Sequence, residues 1–361
     1  MEETALLDNI GLKCVKWYEF IVSRDVERSV EMKLEVDRLM ESSTKTDRVN
    51  TYYQLVNYRH GLLMEDVQKR LSVIDVEGEM TQTDVMLKYM YYFFTGQNEF
   101  YKGRYKSAMQ FYNLASKLID TVDKIVEKAE FYQRVGAAYY RLNQYAVAMN
   151  YMEQSKELFL ELDGKNEKVL NCDLVIGCIY SEVHDFDKAD KVFKTAIFQA
   201  NNYPYTRGLL LRSHGLNLLR QDNLEEAEKK FMEALNIKEH ESSYVGFKTK
   251  SDLANVKLRL GKREQGVRLL EEAENLTKKN RNIEFKARNM ITRHLYVKLD
   301  EREIDKAILM LQDQEYYFEA FEITQEISEY YEKKGYLEQC VKYLKVSHQM
   351  NIKQNQLGEW L

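Results

Sequence analysis

Six histidines and four cysteines are the obvious places to look for chemistry in this 361-residue chain, and their spacing supplies none. His60, His184, His214, His240, His294 and His348 never fall at the short intervals that bring two imidazoles onto one metal ion. Cys14, Cys172, Cys178 and Cys340 contain no CxxC pair, and read as buried or free thiols in a reducing cytosol. There is no glycine-rich phosphate cradle and no nucleophile elbow. The chain therefore calls for no metal or cofactor of its own. What remains is recognition. Glu182, Arg212, Ser213, Asp252 and Asn255 fall, by the repeat described next, on an inward-facing surface. Glu182 and Asp252 can pair there with a basic residue of a peptide. Each of the five also reads as decoration of a solvated face.

Those residues are positioned by an internal repeat. A small residue is followed twelve positions later by another, then by a bulky residue four later and a small one three after that. The clearest copies are Gly96, Ala108, Tyr112, Ala115; Gly136, Ala148, Met152, Ser155; Gly177, Ala189, Phe193, Ala196; and Gly215, Ala227, Phe231, Ala234. Weaker copies begin at Ala254, Leu295 and Ser328. This is the tetratricopeptide pattern of paired antiparallel helices, A then B. Small residues sit where two helices cross, because a large side chain would push the axes beyond the usual 8–10 Å. Polar turns such as Leu142–Tyr145, Asp185–Asp187 and Arg220–Asn223 separate A from B. The expected fold is all-α: an N-terminal three-helix bundle over 1–75, then a right-handed tetratricopeptide superhelix of about seven helix pairs over 76–361, with the A helices lining its concave face.

The bundle rests on three apolar series: Ile10, Cys14, Trp17 and Ile21; Val26, Val30 and Leu34; and Val49, Tyr52, Val56, Leu62 and Leu63. A polar stretch, Ser42 to Asp47, separates the second helix from the third and ends in a residue suited to N-capping.

Composition narrows the function. One proline and fifteen glycines are too few for an all-β chain of this length, and the 26 tyrosines suit aromatic ridges between helices. The formal charge is −5, and residues 1–80, with 11 basic and 16 acidic side chains, carry all of it. A phosphate-backbone binder needs a cationic face, so nucleic acid is not an expected partner. A basic recognition helix after a short glycine turn is not visible either. The longest apolar run, near Tyr89–Phe94, is far short of a bilayer span, and the start has no signal-peptide pattern. No membrane partner and a cytoplasmic location are expected.

At Lys16-Trp17-Tyr18, Tyr52-Tyr53-Gln54-Leu55, Tyr58-Arg59-His60, Tyr91 to Gly96 and Val126 to Phe131, the chain resembles the Rap family of Bacillus: response-regulator aspartate phosphatases and their non-catalytic relatives. The resemblance spans nearly the whole chain in one register. It implies that the bundle docks on a bacterial response regulator, either removing its aspartyl phosphate or sequestering it. A short Phr-type peptide on the concave face would switch the protein off, in quorum-sensing control of the kind that governs sporulation and competence. The off-state would pack the bundle against the repeats as an extra helical pair. Asp47, Asn50, Gln54, Tyr58 and His60 are the residues it places near the regulator. Any Mg²⁺ would belong to the regulator.

The chain departs from the family where catalysis would occur. Active members carry a water-orienting Gln thirteen residues before the His of the Arg-His pair; here that position is Asp47. A carboxylate approaching a phosphoryl group meets about 4 kcal/mol of repulsion at 4 Å and an effective dielectric near 20. Lys45 or Arg48 would have to offset it. Asp47 is thus either a catalytic residue or a plain helix cap. The peptide face departs too: Ser213 and Ile179 stand where relatives carry Asn, Ala137 where they carry Glu, and Glu182 where they carry Asp. Two further readings stay open, a peptide-responsive transcription factor and a scaffold without a switch.

Overall fold

The computed structural model describes residues 2–358 apart from 23–24, 43–46, 65–84, 123–124 and 164–166, and every regular element in the described residues is helical. Three helices open the chain: α1 (Glu2–Val22), α2 (Val26–Ser42) and α3 (Asp47–Leu63). Among the described residues fourteen longer helices follow in A–B order, besides the four-residue helix Lys238–Glu241. These are α4 (Val85–Tyr101) and α5 (Tyr105–Ser116), α6 (Ile125–Arg141) and α7 (Tyr145–Asp163), α8 (Glu167–Glu182) and α9 (Phe186–Gln199), α10 (Pro204–Arg220) and α11 (Leu224–Leu235). Then come α12 (Gly246–Arg259) and α13 (Arg263–Asn280), α14 (Ile283–Arg293) and α15 (Glu301–Asp313), α16 (Tyr317–Lys333) and α17 (Leu337–Gly358). The chain forms two compact units, 1–141 and 142–360. The boundary expected near residue 75 lies outside the described residues.

In the first unit α1 packs against both α2 and α3, which hardly meet each other. Ile10, Cys14, Trp17 and Ile21 of α1 are buried, as their spacing predicts. The series chosen for α2 is a correction. Val26 and Leu34 are exposed, and the helix turns Ser29, Val36 and Met40 inward instead. A small hydroxyl side chain sits in that interface because it has a buried partner, His60, at 2.8 Å. In α3 the buried residues centre on Leu55, Val56 and Tyr58. Tyr58 and Tyr18 bring their rings to Phe94 of α4, at 6.1 and 6.4 Å between centroids, which seats the opening helices on the first repeat.

The repeat's small residues do what their spacing requires. A Cβ on Gly96 would lie 2.6 Å from the Tyr112 ring, on Gly177 2.7 Å from Phe193, and on Gly215 2.6 Å from Phe231. In the fifth repeat the roles reverse: Gly266 is on the B helix, and a Cβ there would meet Leu258 of the A helix at 2.7 Å. The glycine works from whichever side of the crossing carries it.

Each A-to-B turn also carries one residue with positive φ: Gly103, Asn143, His184, Asp222, Gly261, Leu299 and Gly335. The turn ends its helix with a six-residue backbone bond, such as Asp185 N–H to Tyr180 O (2.9 Å) and Asn223 N–H to Leu218 O (3.0 Å). Asp185 and Asn223 then cap α9 and α11 through their side chains. Leu299 is the poor fit. It is 65% exposed, so burial does not compensate its left-handed φ of 54°. Leu299→Gly is therefore expected to stabilise the second unit by about 1 kcal/mol. A thermal melt would rise by roughly 2–4 °C; an unchanged or lower midpoint would contradict this account of the turn.

Candidate functional site

The inward surface of the second unit is built from A helices α8, α10, α12, α14 and α16. All five residues assigned to it by repeat position are on these helices. Arg212 donates to Asp252 at 2.7 Å. Burial pushes the Asp252 carboxyl above its ordinary range even though Arg212 opposes the shift. Asn255 donates to Glu326 at 2.7 Å and to Thr292 at 3.3 Å. The Ser213 hydroxyl bonds the Cys178 thiol, whose pKa burial pushes up to about 11. Ile179 is buried rather than inward-facing.

Glu182 accepts from Arg220 Nη2 at 2.7 Å, and the same nitrogen reaches Glu322 at 2.6 Å. Glu322 also accepts from Arg288, at 3.2 Å, and Arg288 holds Glu284 at 3.1 Å. Burial works against the charge on Glu322, but Arg220 and Arg288 overcome it and hold the carboxyl below its ordinary range. Asp222, just beyond α10, takes Arg259 at 3.0 Å and Lys333 at 2.9 Å. Repeats in a solenoid ordinarily touch only their neighbours. Here α10, of the fourth pair, is tied to α16, of the seventh. The inner face of pairs four to seven is drawn together by its own charges.

Arg220, Arg288, Glu322 and Glu326 were not foreseen as site residues. The signal for Arg220 was available: it stands five residues after Gly215, as Glu182 stands five after Gly177. Glu322 and Glu326 belong to a repeat too degenerate to set a register. Among the described residues no group of three His, Cys, Asp or Glu side chains is placed to hold a metal ion.

One histidine beside this surface limits its pH range. His240 is fully buried, and its Nε2 lies 2.8 Å from Thr249 Oγ1. Burial, aided by the charge of Arg212, pushes its pKa down to about 4. The unfolded chain would take up this proton first, near pH 6.5. Stability is then full above pH 6.5 and falls as pH drops towards 4, by up to about 3 kcal/mol. Urea midpoints measured across that range should show the loss, and His240→Asn should flatten it. A slope that persists in the variant would clear His240 of responsibility.

The expected regulator-binding residues lie in the first unit. α3 begins at Asp47, whose side chain lies outside the described residues. Asn50 and Gln54 are half-buried. Tyr58 and His60 are interior, which corrects the expectation of a contact surface in this arrangement. His60 Nδ1 lies 2.8 Å from Ser29 Oγ and 3.2 Å from Trp17 Nε1, so the imidazole joins all three opening helices. Next to it, Arg59 forms a buried ion pair with Glu130 of α6. The imidazole suits this seam because Ser29 and Trp17 supply partners for its ring nitrogen.

Comparison with known proteins fits this geometry. A family model described as response regulator aspartate phosphatase H, N terminal, matches residues 7–65, and a tetratricopeptide-repeat model matches 129–160. The chain is 42% identical over 346 residues to the type II methyltransferase M.CeqI of Rhodococcus hoagii, covering 94% of this chain and 66% of that protein. It is 28% identical over 253 residues to the regulatory protein RapG of Bacillus subtilis, covering 70% of this chain and 69% of that one. It thus spans about two thirds of the length of these relatives. Among solved structures, a Rap protein complexed with Competence and Sporulation Factor superposes with a TM-score of 0.90 at 18% identity, over 97% of this chain and 99% of that one. The Rap conjugation gene regulator of plasmid pLS20, in complex with the Phr* peptide, superposes with a TM-score of 0.75 at 26% identity, over 97% of each chain. Its opening helices match that N-terminal model, and its whole length follows the fold of these structures, so the chain is similar to the Rap proteins.

Proposed function

We propose that this protein is a peptide-controlled signalling regulator that binds a bacterial response regulator through α1–α3 and is switched by a short Phr-type peptide on the inward A-helix surface. The match of residues 7–65 to the N-terminal model of a response regulator aspartate phosphatase carries this reading. The neighbour solved with its Phr* peptide, at 26% identity, supports the peptide half. A cytoplasmic place follows, since both partners meet there, and no described helix is long and apolar enough to cross a membrane. The protein needs no resident cofactor, because the regulator brings its own Mg²⁺.

Binding without turnover is the favoured form. Asp47 would set a carboxylate against an anionic phosphoryl group, where active relatives place a neutral amide. A methyltransferase reading, prompted by the Rhodococcus relative, lacks support. Methyl transfer from a nucleoside cofactor calls for a glycine-rich strand-to-helix turn, and the described residues hold no strand. A transcription-factor reading is disfavoured by the acidic opening segment.

The test is phosphate release from a panel of phosphorylated response regulators, with binding measured in parallel, for the wild type and Asp47→Ala. Tight binding to one regulator without faster release supports sequestration. Turnover abolished by Asp47→Ala would replace it with catalysis, and absence of binding to any regulator would sink the proposal.

A further inference from the structure

A cleft lies on the other side of α10. Arg207 and His214 are seven residues apart, two helical turns, and therefore share one face of that helix. Arg212 lies on roughly the opposite face, so the thickness of α10 separates this place from the inward surface. A shallow cleft of about 280 Å³ opens there between α9, α10 and α11, lined by Lys194, Ile197, Phe198, Asn201, Arg207, His214 and Lys230.

Its chemistry is one-sided. Three lining side chains are cationic and none is acidic. Two of the cations have neighbours just outside: Lys194 pairs with Asp190 at 3.0 Å and Lys230 with Glu233 at 2.8 Å. Arg207 has no ion-pair partner among the described residues, and its Nε is buried without a hydrogen bond. A guanidinium half-withdrawn from water and left unpaired is costly unless an anion completes it.

The buried His214 donates its Nε2–H to Asp190 at 3.1 Å, which leaves its Nδ1 an acceptor and the anion to Arg207. Asp190 is also taken by Asn217, at 2.9 Å, so it is not free to neutralise Arg207. At the rim stands Phe198, 78% exposed, beside the half-buried Ile197. Aromatic side chains and arginine are both enriched where proteins make contacts, and this cleft is lined by one of each.

We propose that this cleft binds an oxyanion, phosphate or carboxylate, carried on a flat apolar body, with Arg207 gripping the anion and Phe198 covering the body. Lys194 and Lys230 supply the surrounding positive field. The fork of Arg207 suits either anion, since both offer two oxygens in a plane. The site is independent of the inward peptide surface and of any action on a response regulator.

The probes are phenyl phosphate, benzoate and inorganic phosphate, titrated into the full chain by calorimetry or by chemical-shift mapping. An aromatic anion should bind saturably in the millimolar range, and whichever of the two binds tighter identifies the anion. Arg207→Ala should weaken it about tenfold, the loss of one charge-assisted contact. Arg207→Gln, which keeps the bulk, should do the same with unchanged far-UV circular dichroism. Phe198→Ala should cost about threefold. Lys229→Ala, an exposed neighbour paired with Glu226, serves as the control and should bind as the wild type does. Absence of saturable binding by both aromatic anions would overturn the proposal. So would unaltered binding in Arg207→Gln, or inorganic phosphate binding as tightly as phenyl phosphate.

Discussion

Arg59→Ala is expected to destabilise the first unit by about 3–5 kcal/mol, among the largest single effects available in this protein. Arg59 and Glu130 expose only 10% and 11% of their side chains. Burial disfavours the charge on Arg59, yet Glu130 overcomes it, with Glu127 adding to the same side, and the guanidinium stays charged. Removing it takes from Glu130 its buried cation, in a site shared with the buried Glu127. A buried carboxylate that loses its cation costs most where it is ionised, so the loss is larger at neutral pH than in acid. Denaturant midpoints should therefore fall steeply at pH 7 and much less at pH 5. Equal losses at both values would mean that packing, not charge, is what Arg59 contributes. Because the pair joins α3 to α6, hydrogen exchange in α3 should accelerate with the loss, which would loosen the helix expected to meet the response regulator.

Glu322→Arg should have the second large effect, at the other end of the chain. It places a cation between Arg220 and Arg288, turning two attractions into two repulsions. Each is bounded by about 4 kcal/mol at 4 Å and an effective dielectric of 20. The side chains of Arg220, Glu322 and Arg288 are 26%, 28% and 20% exposed, so solvent screens part of this. A net loss of about 3 kcal/mol is expected. The structural consequence matters more: the tie between α10 and α16 should open. Small-angle scattering should show expansion, and α10 and α16 should exchange faster. High salt should shift the wild type weakly in the same direction. Adding Arg220→Glu to Glu322→Arg should restore part of the closure, because the reversed pair attracts again. An unexpanded Glu322→Arg protein would mean that side-chain packing, not charge, holds these repeats together.

The tie bears on the proposed peptide switch. Arg212, Asp252, Asn255 and Glu182 are not idle groups awaiting a ligand; each already holds a partner within the unit. A charged ligand residue at those positions must displace an internal contact held at high effective concentration. Peptide affinity should therefore reflect the cost of rearranging this network as well as the new contacts.

The sequence by itself determined the helical class, the seven A–B pairs and the crossings at Gly96, Gly177 and Gly215. These depend on residues a fixed distance apart, and a small residue opposite a large one is legible in one dimension. It also picked out the turns between paired helices. It misjudged α2, where apolar spacing pointed to Val26, Val30 and Leu34 but the buried face includes a serine. It misjudged the setting of Tyr58 and His60 as well. Tertiary structure alone decided that Ser29, Trp17 and His60 would meet, that Arg59 would find Glu130, and that Arg220 would reach Glu322 more than a hundred residues away. The physical reason is common to all three. Local periodicity reports which side of a helix avoids water, whereas a polar side chain can be buried only if a specific partner arrives, and that partner comes from a distant part of the chain.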